Sequence, residues 1–95
     1  MIEKYEALVP VNVSADIEKG TILEWDGTNG YYTPLSSGDP AGILLGDVTA
    51  GQAPAVAKVL FHGVVYEDEL ASTPSEDTKA KLRKVGIFVE KRTEV

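Results

Sequence analysis

The sequence predicts a mainly β domain with one short helix ahead of its last strand, and three observations predict it. Short runs of β-branched and aromatic residues recur along the chain, and Gly-, Asn- and Asp-containing turn signals separate them. Only one segment, from Thr73 to Val85, carries both a helix start signal and a helix stop signal.

Ile2 to Val13 mixes apolar residues with charges and contains Pro10, which has no N–H to give to a central ladder. It reads as an arm or an edge strand. Thr21 to Trp25 reads as a strand, Asp26-Gly27 and Asn29-Gly30 as turn signals, and Tyr31 to Pro34 as the returning strand. Leu35 to Pro40 has loop composition. Ala41 to Val48 reads as a buried strand in which Gly42 and Gly46 mark bends or close backbone approaches, followed by a loop from Thr49 to Pro54. Ala55 to Tyr66 is a third apolar run, bulged or split near Gly63.

The helix follows the acidic run Glu67 to Glu69. Thr73 is the expected N-cap, Pro74 the first helical residue and Glu76 the reciprocal capping-box partner. Asp77 suits the positive end of the helix dipole, Arg83 and Lys84 suit the negative end, and Gly86 is the expected C′ residue. Ala80, Leu82 and Val85 are its apolar contacts, so its stability should depend on docking. Ile87 to Val89 form a short final strand before the charged tail Lys91 to Glu94.

Ninety-five residues suit one domain. A domain of this size buries roughly 60 to 65% of the surface that its unfolded chain exposes, so it gains from added support. With no cysteine and one histidine, neither a disulfide framework nor an ordinary structural metal site is expected. Oligomerisation is the expected support. A formal charge of -6 opposes binding that works by neutralising phosphates, so nucleic acid is not an expected partner. Apolar runs such as Lys58 to Phe61 and Ala41 to Leu45 fall far short of the roughly 20 residues that cross a bilayer. Glu3, Lys4 and Glu6 stand where a secretory signal needs a basic start and an apolar core, so neither export nor membrane anchoring is expected.

No catalytic, cofactor-binding or metal-binding residue is assigned, and the chain is expected not to be an enzyme. His62, the single histidine, reads as a structural donor at a strand bend between Phe61 and Gly63. Ser14, Ser36, Ser37, Ser72 and Ser75 sit in turn-like or capping contexts, and none lies in a Gly-x-Ser-x-Gly elbow. Glu67, Asp68 and Glu69 are adjacent, without the spacing of a calcium loop, and read as a solvated turn. Asp26 and Asp47 read as turn residues, and the glycines form no phosphate-cradling loop. Trp25 is either an interface anchor or a core residue beside a hairpin turn. Lys79, Lys81, Arg83 and Lys84 read as a solvated helix face.

An ordered set of segments adds a resemblance. Glu24-Trp25-Asp26-Gly27-Thr28, Ala41-Gly42-Ile43-Leu44, Phe61 through Asp68, then Thr78-Lys79 and Gly86-Ile87-Phe88-Val89 follow one another as in the lambda-type head decoration proteins of tailed phages, which the chain resembles from about Gly20 to Arg92. The segment Ala41 to Leu70 carries most of the likeness. The resemblance implies a small clip-like β-barrel or sandwich domain, residues 16–95, with an extended N-terminal arm, residues 1–15. It also implies a homotrimer on threefold and quasi-threefold sites of the outer capsid surface, made in the bacterial host cytoplasm and carried on the virion, with the major capsid protein as partner. In that family the arm is mobile in the free protein and orders on the capsid. The segment here is shorter than the lambda arm and contains Pro10. Tyr5, Leu8, Val9, Pro10 and Val11 are the expected capsid-binding residues, and a chain lacking residues 1–12 is expected to stay folded but not to bind.

A second reading starts from Asp16-Ile17-Glu18-Lys19-Gly20-Thr21-Ile22-Leu23, which also resembles the strand entry of small clip-like ligand-binding domains of the SAF type. It implies a sugar- or substrate-binding accessory module with a concave pocket, as monomer or dimer. A third, a small hydrolase acting through His62, lacks a nucleophile and base pair.

Overall fold

The computed structural model describes residues 3–91. Within them run strands β1 (Tyr5–Pro10), β2 (Ile22–Asp26), β3 (Tyr31–Pro34), β4 (Pro40–Leu44) and β5 (Val56–Tyr66), a 3-10 turn (Glu67–Glu69), the helix α1 (Glu76–Lys84) and β6 (Ile87–Glu90). The domain is mainly β with one helix before the last strand, as the residue pattern predicts. Residues 1–2 and 92–95, which include part of the expected arm and of the charged tail, lie outside the described residues.

The strands form one sheet in the order β1-β5-β4-β2-β3 with antiparallel neighbours, and β6 adds to β5 in parallel. The path curls back on itself. Just past β1, Val11 bridges Tyr32 of β3, and the Asn12 N–H donates to the Tyr32 carbonyl at 2.8 Å. Joining the first strand of the path to the last closes a small barrel, which protects most strand edges.

Alternation along β4 and β5 builds two cores on either side of a shared wall. Leu44, Ala57 and Val59 point into the barrel with Val11, Ile17, Leu23 and Val48. Their chain neighbours Ile43 and Leu60 point the other way and pack with Val65, Leu70, Leu82 and Ile87 beneath α1 and β6. Gly63, at φ +141, lets β5 leave its antiparallel partner β1 and continue as the parallel partner of β6. This is the expected break in the long apolar run. Gly42 is the expected close approach, since a Cβ there would meet Val59 Cγ1 at 2.5 Å. Gly46 differs, having open space around it.

Four expectations are corrected. Helix α1 is capped by Ser75, whose hydroxyl accepts from the Thr78 N–H at 3.2 Å, so Thr73 and Pro74 lie ahead of it. Pro74 directly after Thr73 is compatible with a cap there; the competing Ser75-x-x-Thr78 spacing starts the helix one half-turn later. Only Leu82 of the helix is buried, while Ala80 and Val85 are exposed. The fourth strand ends at Leu44, because Asp47 turns the chain by accepting the Lys19 N–H at 2.8 Å and Val48 bridges Ile17. Finally, residues 3–15 are not a separable arm. The six residues of β1 are in register with β5, Val11 is 2% exposed, and the chain without residues 1–12 would lose one stave of the barrel.

Candidate interaction surface

Inward-pointing positions alternate along each strand, so the position two residues beyond a core residue lies at the end of the barrel. On β2 the core residue Leu23 is followed at that spacing by Trp25, and on β5 Val59 is followed by Phe61. Tyr32 is the register partner of Trp25. Near Tyr5 the ladder shifts by one residue, so that Tyr5 faces His62 while Glu6 faces Leu60, and the Tyr5 ring comes to Phe61.

Four strands therefore deliver one aromatic row. Ring centroids are 4.8 Å apart for Trp25 and Tyr32, 5.4 Å for Tyr32 and Phe61, and 5.9 Å for Phe61 and Tyr5. Interplanar angles of 57°, 62° and 36° give tilted and edge-on contacts, which the ring quadrupole favours over flat stacking. Tyr32 and Phe61 are half-buried against the barrel core. The ends of the row are open, with Tyr5 56% and Trp25 50% exposed.

The polar groups beside the row are fixed by local chemistry. Asp26 accepts the Thr28 and Asn29 N–H groups at 3.0 and 3.1 Å and the Asn29 side-chain amide at 2.8 Å. That amide first, with the Asn29 and Thr28 backbone, holds the Asp26 carboxyl below its ordinary range and locks the hairpin that carries Trp25. Glu24 turns away to accept the Ser36 and Gly38 N–H groups. On β1, Glu6 lies 3.3 Å from Lys4 and 3.5 Å from Lys58, and the Lys4 ammonium, with Lys58 adding to it, lowers the Glu6 carboxyl.

The five arm residues singled out in the sequence divide between these environments. Tyr5 ends the aromatic row. Leu8 is 67% exposed on the opposite face of β1, and Pro10 is exposed. Val9 packs half-buried on the barrel core, and Val11 lies inside it at 2% exposure, so Val11 offers no contact surface while β1 is in place. Trp25 stands on the surface and is not a core residue. Phe61 and Tyr32 escape a reading of the sequence: Phe61 is hidden in a continuous apolar run, and only strand register brings the two together.

The remaining candidates have structural roles. His62 is exposed, and its ring packs over Gly86, where a Cβ would meet His62 Cδ2 at 2.9 Å. It is a packing surface in place of the expected hydrogen-bond donor. Glu67 is tied to Lys79 at 3.1 Å, with both side chains largely covered, and is not solvated. Lys79 also reaches Glu76, and Lys81 reaches Asp39 and Asp77, so half of the expected basic face is engaged in ion pairs. Among the described residues, no group of three or more His, Cys, Asp or Glu is placed to hold a metal ion, and no helix is long and apolar enough to cross a membrane.

A groove of about 280 Å³ lies between the start of β2, the end of β3 and the segment leading into α1. Ile22, Pro34 and Leu35 form its apolar wall, and Thr21, Ser72 and Thr78 line it with hydroxyls. The Thr21 hydroxyl already donates to the Glu18 carbonyl at 2.6 Å, and that of Thr78 accepts from Ser75 at 3.0 Å. No ionisable side chain lines the groove. Neither a protein-family model nor a curated protein matches the chain.

Proposed function

We propose that the chain is a capsid decoration protein, a non-enzymatic module that binds as a homotrimer at threefold and quasi-threefold sites on the outer surface of an expanded phage head. Its partner is the major capsid protein. The ordered residue resemblance from Glu24 to Val89 suggests the reading, and the geometry of β1 is the observation that carries it.

That strand is held to β5 along one side from Tyr5 to Pro10, while on its other side the described residues join it to the sheet only beyond Pro10, at the Val11–Tyr32 bridge. An open edge of this kind accepts another extended segment through main-chain hydrogen bonds. Exposed Tyr5 and Leu8 on opposite faces supply side-chain contacts to such a segment. Because β1 is already ordered, docking avoids the entropy of folding a free arm. Anything that binds only the assembled shell stabilises it by mass action, which is all that a cement protein requires.

The test is to mix purified protein with expanded capsids and image them. Trimeric density at the threefold positions is expected, together with loss of occupancy in a Leu8→Asp variant that remains folded. Bare threefold positions at saturating protein would overturn the reading. So would a folded chain that binds a saccharide in the groove at Ile22 and Leu35 and ignores capsids.

A further inference from the structure

We propose that Asn29 is a site of slow hydrolytic modification, in which the main-chain nitrogen of Gly30 displaces the Asn29 side-chain amide, and that Asp26 restrains the reaction while the hairpin of β2 and β3 is folded. The inference concerns the chain itself and does not depend on what the chain binds.

The chain has two asparagines, and their surroundings differ. Asn12 precedes Val13, whose branched side chain crowds the adjoining main-chain nitrogen, and its amide donates to the Thr33 hydroxyl at 3.2 Å. Asn29 precedes Gly30, which has no Cβ to obstruct an approach to its nitrogen. Both residues of this pair are exposed, and nothing lies within 4 Å of the place a Gly30 Cβ would occupy. Once solvent base removes the Gly30 amide proton, the nitrogen attacks Asn29 Cγ. The new N–C bond closes a five-membered imide as the Cγ–Nδ2 bond breaks, and ammonia leaves with a proton taken from solvent. Water then reopens the ring. Addition at Cγ gives aspartate, and addition at the main-chain carbonyl carbon gives isoaspartate, with the chain rerouted through the side chain. The net change consumes one water and releases one ammonia, with no oxidation or reduction.

Asp26 holds both reacting groups. The Asn29 side-chain amide donates to Asp26 Oδ2 at 2.8 Å, which keeps it from swinging onto the Gly30 nitrogen. The Gly30 N–H donates to the Asp26 carbonyl at 2.8 Å, which shields its proton from solvent base. Reaction therefore passes through openings of the hairpin. Such openings cost less than global unfolding, since β3 ends the path of strands and the turn is exposed. Either product loosens the turn. Aspartate places a second carboxylate where an amide now donates to the first, and isoaspartate lengthens the main chain between Asp26 and Gly30. The strand so loosened is the one that holds Trp25 against Tyr32 at 4.8 Å.

The experiment incubates the full chain at neutral pH, below its melting range and in urea, and follows each asparagine by peptide mass mapping. A gain of about one dalton is expected at Asn29, with isoaspartate among the products, while Asn12 is unchanged. Unfolded wild type should react fastest and folded wild type slowest. Folded Asp26→Ala and Asp26→Ser, neither of which can reach the Asn29 amide, should react about two- to ten-fold faster than folded wild type. Thermal unfolding verifies that both variants are folded, and wild type in and out of urea decides the point without any variant. An Asn29 that keeps its amide in urea would overturn the site. Folded wild type that reacts as fast as the unfolded chain, or as fast as the two folded variants, would overturn the restraint by Asp26. Asn29→Asp reproduces the aspartate product, and Trp25 is the only tryptophan, so its emission reports on the hairpin. The variant should melt a few degrees lower with altered emission; a wild-type midpoint and spectrum would overturn the loosening.

Discussion

Lys79 Nζ lies 3.1 Å from Glu67 Oε2, with 14% and 17% of the two side chains exposed, and this pair ties the helix to the 3-10 turn that leaves β5. Hydrogen bonding to Glu67, with a further bond to Glu76, raises the Lys79 pKa above its ordinary 10.5. A raised folded pKa means that the contribution is fully present below about pH 10.5 and is lost as pH rises through the higher folded value. Lys79→Met should therefore be less stable than wild type at pH 8, and the gap should close above pH 10.5. Urea midpoints of the two proteins across that range check it; a gap that does not change with pH would show that the ion pair is not its source.

Leu82 carries the apolar docking of α1 alone. It is 0% exposed, against exposed Ala80 and Val85 on the same helix. Leu82→Ala should cost about 2–5 kcal/mol by removing a fully buried side chain and leaving a cavity. Val85→Ala should cost well under about 1 kcal/mol. Denaturant unfolding of the two variants measures the contrast.

Gly20 is a tighter joint than its sequence context suggests. At φ +90 it donates to the Leu44 carbonyl at 2.8 Å and accepts the Ala71 N–H at 3.1 Å, and an added Cβ would collide with the Glu69 carbonyl oxygen. Gly30 has a comparable φ of +75 but open space around it. Gly30→Ala should cost about 1 kcal/mol, the strain of the left-handed conformation alone. Gly20→Ala should cost about 3 kcal/mol, with backbone displacement added to that strain. Equal costs in thermal unfolding would show that the segment after the 3-10 turn yields easily.

Removal of residues 1–12 takes away β1 and the buried Val11 together. The truncated chain should lose its cooperative thermal transition or melt far below the full chain, as followed by circular dichroism. A truncated protein that melts like the full chain would mean that β1 contributes little to the barrel. Leu8→Asp, on the exposed face of the same strand, should leave the transition nearly unchanged.

Most of the strands were legible because their signals are local. The Asp26 to Gly30 turn names both of its flanking strands, and Gly63 announces the change of partner within β5. Gly86 was legible as the helix stop for the same reason, and it takes φ +94. The start of the helix was ambiguous because Thr73 and Ser75 both have capping chemistry at a suitable spacing. The role of Lys79 was not legible, since its partner Glu67 is 12 residues away and a lysine on a polar helix face reads as solvated. The aromatic row was legible only at Trp25 and Tyr5. Its middle depends on the register of β5 against β1 and of β2 against β3, and register is a property of pairs of strands.

The wall shared by the two cores bears on which changes of length the chain tolerates. Val59 serves one core and Leu60 the other, as Leu44 and Ile43 do on the facing strand. Inserting or deleting a single residue in this part of β4 or β5 would turn both sets of side chains around at once, emptying two interiors with one step. Changes of length should be tolerated better in connections outside this wall, such as residues 35–39 ahead of β4 and 49–55 ahead of β5. Variation across descendants of this sequence should gather there, while the spacing from Ile43 to Leu44 and from Val59 to Leu60 stays fixed.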